Sequence, residues 1–281
     1  MCGSAHRVKR SGRVRDNATL EIFQCSDCGL VYLSDFSHIH KNHYAESGMH
    51  EGKIYDVNKW LNDTSADDER RFNYFRDVLI DKRVLDFGCG AGGFIEMAQK
   101  ISTNVAGIEP DRALKESFKN RGLTVWNSLE QIDENEKSWD LITSFHVLEH
   151  LSDPIKALKE LSLLLAPNGT ILIEVPNSND ALLTLYGCES FQKFTYWSQH
   201  LFLFNTDTMC ELVKKSGLTI NWIRHVQRYP LSNHLYWLSN NKPGGHKQWE
   251  FFNNKVLNDE YEKCLAEKEM TDTILASIRL H

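Results

Sequence analysis

His146, Glu149 and His150 stand at i, i+3 and i+4 in the run Ser144-Phe145-His146-Val147-Leu148-Glu149-His150-Leu151. On a helical turn this spacing gathers two imidazoles and a carboxylate on one face. Such a face can ligate a divalent cation. It can equally hold a general base against an acceptor hydroxyl. Simple packing of the turn is the competing explanation. The run follows a strand, so it would lie at the carboxyl edge of a sheet, where open α/β folds bind ligands.

A second group of residues precedes it. Val84-Leu85-Asp86-Phe87 runs into Gly88-Cys89-Gly90-Ala91-Gly92-Gly93 and then into a helix. Glycine accepts φ > 0 and lets a ligand approach without a Cβ clash. The helix start adds free N–H groups and partial positive charge. A glycine-rich turn alone is weak, because many βα turns need one glycine. Two carboxylates sharpen it. Asp86 ends the strand and suits a cationic amino group better than a pyrophosphate. Glu109, in Gly107-Ile108-Glu109-Pro110-Asp111, ends the next strand, where an acid holds a ribose diol in such folds.

These segments resemble motif I and the following segment of class I S-adenosylmethionine-dependent methyltransferases, of the ubiquinone-pathway type. The resemblance covers about residues 80–225. It implies that Gly88, Gly90 and Gly92 line the methionine part of the cofactor. Asp86 would organise the loop and Glu109 would hold the ribose hydroxyls. Cys89, Pro110, Asn127, Ser144 and Phe145 are expected as further cofactor contacts. An NAD site shares the strand, glycines and acid, but the loop here is GxGxGG. The Gln199-His200-Leu201-Phe202 segment is similar to one found in two metal-using groups, the ubiquinone-pathway O-methyltransferases and the small-RNA 2′-O-methyltransferases. There a Glu-x-x-Glu-His run joins a downstream histidine to bind a divalent ion beside the acceptor. Glu149, His150 and His200 match, while His146 replaces the first glutamate. The replacement would shift preference toward Zn²⁺, Mn²⁺ or Fe²⁺, or it signals that no metal is used and a histidine is the base. His146, Glu149, His150 and His200 are thus the divalent-metal candidates. His146, His200 and Glu149 are the catalytic ones.

Cys25-Ser26-Asp27-Cys28-Gly29 is a CxxCG knuckle, and Cys2-Gly3 looks like half of another. Knuckles hold Zn²⁺ through thiolates on a tight turn. The stretch resembles the amino-terminal zinc ribbons of some sugar methyltransferases, which implies a structural zinc on Cys2, Cys25 and Cys28. Reduced cysteines in a knuckle remnant are the alternative.

The elements that must position these groups alternate. Strands are expected at 83–87, 104–108, 123–126, 139–145, 170–175, 218–226 and 273–278. Helices are expected at 64–81, capped by Thr64 or Asp67, and at 92–100, 112–120, 154–165, 206–216 and 253–269. Asn168-Gly169 reads as a turn. The alternation predicts an α/β fold, a Rossmann-like three-layer sandwich with a seven-stranded, mostly parallel sheet and an antiparallel last strand. Residues 1–50 read as an irregular Cys/His-rich extension, and 51–281 as a methyltransferase domain with acceptor-side insertions at about 176–200 and 229–252.

The chain has 281 residues, 41% hydrophobic and 25% charged, with a net charge of −6. The acidic balance argues against a nucleic-acid partner. No stretch approaches a membrane span or a signal-peptide core, so a cytoplasmic location is expected. Tyr32, His38, His40, His43 and Tyr44 could lid the cofactor. Phe191–Trp197 and Arg228–Leu238 are rich in aromatic, Asn, His and Arg side chains. They suit a sugar or sugar nucleotide methylated on oxygen, and they also suit mutual packing or a homodimer interface. An N- or C-methyltransferase and a non-catalytic cofactor-binding module are the other functional alternatives.

Overall fold

The computed structural model describes residues 2–40, 42–50, 56–133 and 138–281. Near the amino terminus lie three short strands, β1 (Arg7–Lys9), β2 (Ile22–Cys25) and β3 (Val31–Leu33). Helix α1 (Val57–Leu79) leads into β4 (Arg83–Phe87) and α2 (Gly93–Ala98). Then follow β5 (Asn104–Ile108), α3 (Lys115–Asn120), β6 (Thr124–Trp126), β7 (Trp139–Phe145), α4 (Pro154–Ser162) and β8 (Leu165–Pro176). After them come α5 (Glu189–Thr195), β9 (Phe202–Leu203), α6 (Thr206–Lys215) and β10 (Thr219–Val226). Helices α7 (Leu231–Asn240), α8 (Gly245–Gln248) and α9 (Lys255–Ala266) precede β11 (Thr273–Arg279).

The main sheet has seven strands in the order β10-β11-β8-β7-β4-β5-β6. Every neighbouring pair is parallel except the two made by β11, which is antiparallel to both β8 and β10. Successive side chains on a strand point to opposite faces, and the two cores follow that period. Leu85, Ile142, Ile173 and Ala276 pack with α4 and α6. Their neighbours Val84, Leu141, Leu172 and Leu275 pack with α1, α2 and α3. The result is the expected three-layer sandwich.

The boundaries differ in instructive places. Helix α1 begins at Val57 because the Asp56 side chain accepts from Asn58 and Lys59 N–H at 2.9 and 3.3 Å, an earlier cap than Thr64 or Asp67. Asn168-Gly169 is not a turn but lies inside β8. Asn168 takes φ +66, and the register against β7 slips between Trp139 and Leu141. The 1–50 region is more ordered than its composition suggests. β1, β2, β3 and β9 form a second, antiparallel sheet. Its last strand comes from the segment just after His200. Among the described residues, no helix is long and apolar enough to cross a membrane.

Trp139 is fully buried at the start of β7, under the Arg83 guanidinium at 5.2 Å. Trp139→Ala should cost about 3–5 kcal/mol, read as a lower urea midpoint at an unchanged m value.

Candidate active site

The loop after β4 is held by its own backbone. Gly88 and Cys89 N–H both donate to Ile108 C=O, at 2.8 and 3.0 Å, which ties the loop to the end of β5. Gly88 has φ +79, and a Cβ there would lie 2.4 Å from Val147. Gly93 has no room either, since a Cβ would meet Asp68 Oδ2 at 2.4 Å. Gly88 is therefore required by both its backbone and its neighbour, and a side chain at Gly93 would displace the Asp68 carboxylate.

A cavity of about 330 Å³ opens over this loop. It is lined by Asp86, Gly88, Cys89, Gly90, Glu109, Pro110 and Phe145, as expected, together with Trp60, Asp68 and Arg71 of α1. Asp86 is buried and accepts from Thr143 Oγ1 at 2.6 Å. Burial pushes its carboxyl up to about 7, against that bond and Arg71. Glu109 accepts from Gly90 N–H at 2.9 Å and Asp111 N–H at 3.0 Å. Burial lifts it to about 7 despite both bonds. Three of the expected cofactor contacts fall outside the cavity lining. Gly92 turns toward Leu123 and Phe118 and serves packing. Asn127 instead donates to Glu109 C=O at 3.0 Å, which braces the strand end. Ser144 is fully buried in β7.

A second cavity, of about 400 Å³, adjoins the first. The two share Met49, His146, His150 and Arg228 in their walls. Its lining includes the aromatic Phe191, Phe194 and Trp197 and the polar Asn177, Asp180, Asn233 and Asp272. Asp180 is pushed up to about 8 by burial and by Asp272.

The histidine cluster sits where the cavities meet, on a short 3-10 turn, Leu148–His150. Ligand atoms of Glu149, His150 and His200 lie within 4.8 Å of one another. His150 Nδ1 donates to Gln199 C=O at 2.8 Å, so Nε2 carries the lone pair. Glu149 Oε2 and His200 Nδ1 are buried with no hydrogen-bond partner. Burial lowers the pKa of His150, and burial with the neighbouring His150 lowers His200 to about 3, so both rings are neutral bases. His146 does not join this trio. Its Nδ1 donates to Glu149 Oε1 at 3.1 Å. Its Nε2 lies 3.2 Å from Glu174 Oε1, within ion-pair range. Burial and Arg228 oppose its charge, but the two carboxylates outweigh them and raise its pKa. Two carboxylates thus flank its ring, and it lies outside the group formed by Glu149, His150 and His200. The Glu149 carboxyl is drawn down to about 2 against the effect of burial.

Residues that the spacing did not reveal complete this arrangement. Glu174, fully buried in β8, accepts from Arg71 Nη2 at 2.7 Å and Arg70 Nη2 at 2.8 Å. Arg228 reaches Asp67 at 3.1 Å. One signal was available: a lone glutamate inside the apolar strand Thr170-Ile171-Leu172-Ile173-Glu174-Val175. Of the expected lid residues, Tyr44 lines the cofactor cavity. His38 and His43 donate to Ser198 C=O and Gln199 Oε1, both at 2.7 Å, and so hold the segment before His200.

Residues 31–221 match the family described as methyltransferase domain. The chain belongs to that family and is a class I S-adenosylmethionine-dependent methyltransferase. The methyltransferase is similar to ubiquinone biosynthesis O-methyltransferases. It is 26% identical to that of Aeromonas salmonicida over 55% of this chain and 70% of the relative. It is 27% identical to that of Vibrio parahaemolyticus, over 58% and 76%. Among solved structures, a SAM-dependent methyltransferase of Thermotoga maritima superposes with a TM-score of 0.54 at 19% identity, covering 86% of this chain and all of that one. The 1,6-didemethyltoxoflavin N1-methyltransferase of Burkholderia thailandensis, solved with S-adenosylhomocysteine, gives 0.55 at 13% identity over 96% and 99%. These likenesses show the fold.

The first cavity fits the cofactor: the glycine cradle excludes side chains, and Glu109 is pinned by two backbone N–H groups beside it. Glu109→Gln should weaken S-adenosylmethionine binding by roughly 10–100-fold in calorimetry, the loss expected for a charged hydrogen-bond acceptor. The raised carboxyls also set a pH dependence. Asp86 and Glu109 keep protons in the folded, cofactor-free protein that the unfolded chain has released, so stability falls as pH rises through their window. Tm should drop from about pH 5 to about pH 8, and Asp86→Asn should flatten that slope.

Proposed function

We propose that the methyltransferase methylates a hydroxyl of a small polar acceptor, a sugar or sugar nucleotide. The observation that supports this reading is the second cavity, whose lining combines the aromatic Phe191, Phe194 and Trp197 with Asn177, Asp180, Asn233 and Asp272. Aromatic rings pack the C–H face of a sugar, and amides and carboxyls bond its hydroxyls. S-adenosylmethionine supplies an electrophilic sulfonium methyl. Asp86, Gly88, Gly90 and Glu109 would orient it from the first cavity, while Phe145 and Trp60 keep water away. The acceptor would enter from the second cavity and meet it beside His146, His150 and Arg228, so positioning carries much of the catalysis.

Glu149, His150 and His200 fit a divalent ion, because two of their atoms are buried without partners and a backbone carbonyl fixes the His150 tautomer. Such an ion would acidify a coordinated hydroxyl. Without it, neutral His150 or His200 can take the acceptor proton directly. His146 holds Glu149 in either case. An aromatic acceptor is the second reading, and Phe191, Phe194 and Trp197 in the lining favour it. Cys2, Cys25 and Cys28, whose Sγ atoms lie within 4.8 Å of one another, would hold a structural zinc.

The test is S-adenosylhomocysteine release over a panel of nucleotide sugars and substituted catechols, with the product methyl assigned by NMR. A methyl ether on a sugar supports the proposal. Turnover of catechols alone, or an N- or C-methyl product, sinks it. Binding of S-adenosylmethionine without turnover of any acceptor would favour a cofactor-binding module. For the metal, chelation should abolish activity and Mn²⁺, Fe²⁺ or Zn²⁺ should restore it. Full activity in metal-free protein would leave the histidines as bare bases. In either arrangement His200→Ala should lower kcat by roughly 10²–10⁴-fold.

A further inference from the structure

Arg15 comes from the amino-terminal extension, yet it lines the second cavity. The residue is exposed, so it stands at that cavity's mouth. Its position is fixed from several sides. Arg15 N–H donates to Tyr196 C=O at 2.9 Å, and its Nη1 donates to Phe194 C=O at 3.1 Å. The guanidinium carbon lies 4.5 Å from the centre of the Trp197 ring and 5.5 Å from that of Phe194. Asp16 secures the same stretch, accepting from Ser198 N–H at 3.0 Å and from its Oγ at 2.6 Å. The extension thus latches residues 194–198, which give the cavity Phe194, Thr195 and Trp197.

A guanidinium stacks by its face and donates by its edge. Contact with the aromatic rings and one bond to Phe194 leave further N–H groups along that edge. Among the described residues, no carboxylate pairs with Arg15 within 4.0 Å. The other charges of the cavity are already matched or absent. Arg228 pairs with Asp67 at 3.1 Å and Asp272 at 3.7 Å. His146 lies between Glu149 and Glu174. Burial keeps His150, His200 and His234 neutral. Asp180, pushed up to about 8, keeps most of its proton at neutral pH. Arg15 is therefore the cation of this cavity without a counter-charge. We propose that Arg15 binds an anionic oxygen group on the acceptor, a phosphate or a carboxylate, and so selects acidic acceptors over neutral ones. The inference rests on the second cavity being the acceptor site, and it narrows the sugar reading to acidic or phosphorylated sugars. Either group offers two oxygens to the planar fork. A guanidinium already stacked and latched loses little freedom on binding. Arg15 takes no part in the methyl transfer; it is a specificity residue.

Matched pairs of probes test this on the full chain, saturated with S-adenosylhomocysteine to fill the first cavity. Calorimetry compares glucose with glucose phosphate, glucose with glucuronate, uridine with uridine diphosphate, and catechol with dihydroxybenzoate. In at least one pair the charged member should bind roughly 10–100-fold more tightly than the neutral one, and added salt should shrink the difference. Arg15→Gln should erase that advantage and leave the neutral member unchanged. Arg15→Lys, which keeps the charge but loses the fork, should retain part of it. Asp16→Asn loosens the same latch and spares the cation, so it should keep the ratio. Unchanged S-adenosylhomocysteine affinity in Arg15→Gln would show that the cofactor domain remains folded. Preference for the phosphates alone names a phosphorylated acceptor, and preference for the carboxylates alone names a sugar or aromatic acid. The absence of any charged preference, failure of every probe to bind included, overturns the inference. So does an Arg15→Gln variant that weakens both members of a pair alike. A preference confined to the catechol pair would uphold the role of Arg15 and sink the sugar reading instead.

Discussion

The carboxylate of Glu174 is the interaction on which the site depends. An ionised carboxylate taken out of water costs several kcal/mol unless it is closely paired. Here it is met by Arg70 and Arg71 from α1 and by His146 from the turn after β7. Its pKa is drawn well below the ordinary value, against the effect of burial, by His146 and Arg71. Three elements distant in sequence thus converge on one charge. Arg71 also lies 4.8 Å over the Phe145 ring and pairs with Asp68, which abuts Gly93. The glycine loop, the long helix and the histidine turn are in this way one electrostatic unit. None of them can move far without leaving a buried charge unpaired.

That unit explains why two cavities meet at a defined place. The first cavity is lined by the glycine loop and two high-pKa carboxyls, and the second by aromatic rings, amides and carboxyls. Between them stand His146, His150 and Arg228, each already committed to protein partners. Such groups keep a fixed position when ligands come and go, as methyl transfer between two bound molecules demands.

The sequence displayed the features whose meaning is local. The glycine loop, Asp86 and Glu109 depend on the backbone just around them, and the structure brings them to one cavity. The strand and helix order was equally legible, since burial on both sheet faces leaves long apolar runs. What depended on distant partners was not. Glu174 bonds residues 103 and 104 positions away. Spacing grouped His146 with Glu149 and His150, but nothing in its neighbourhood announces the second carboxylate, Glu174, 3.2 Å from its other ring nitrogen. Gly92, Asn127 and Ser144 occupy motif positions whose side chains or backbones face the core or the strand ends instead. The amino-terminal sheet was hidden for the same reason. Its fourth strand is two residues long, Phe202–Leu203, and lies far along the sequence from its partner Val31–Leu33.

That last pairing orders events in time. β3 is made early in synthesis, yet its partner β9 emerges only after most of the Rossmann-like core. The Arg10 guanidinium likewise waits for Ser178 C=O, 168 positions later. Closing contacts of such span is slow, because loop entropy must be spent before they form. A nascent chain can therefore assemble the glycine loop while the outer edge of β3 is still unpaired. A chain interrupted before residue 203 would hold the glycine loop but neither the β3–β9 pair nor β10 and β11 of the main sheet.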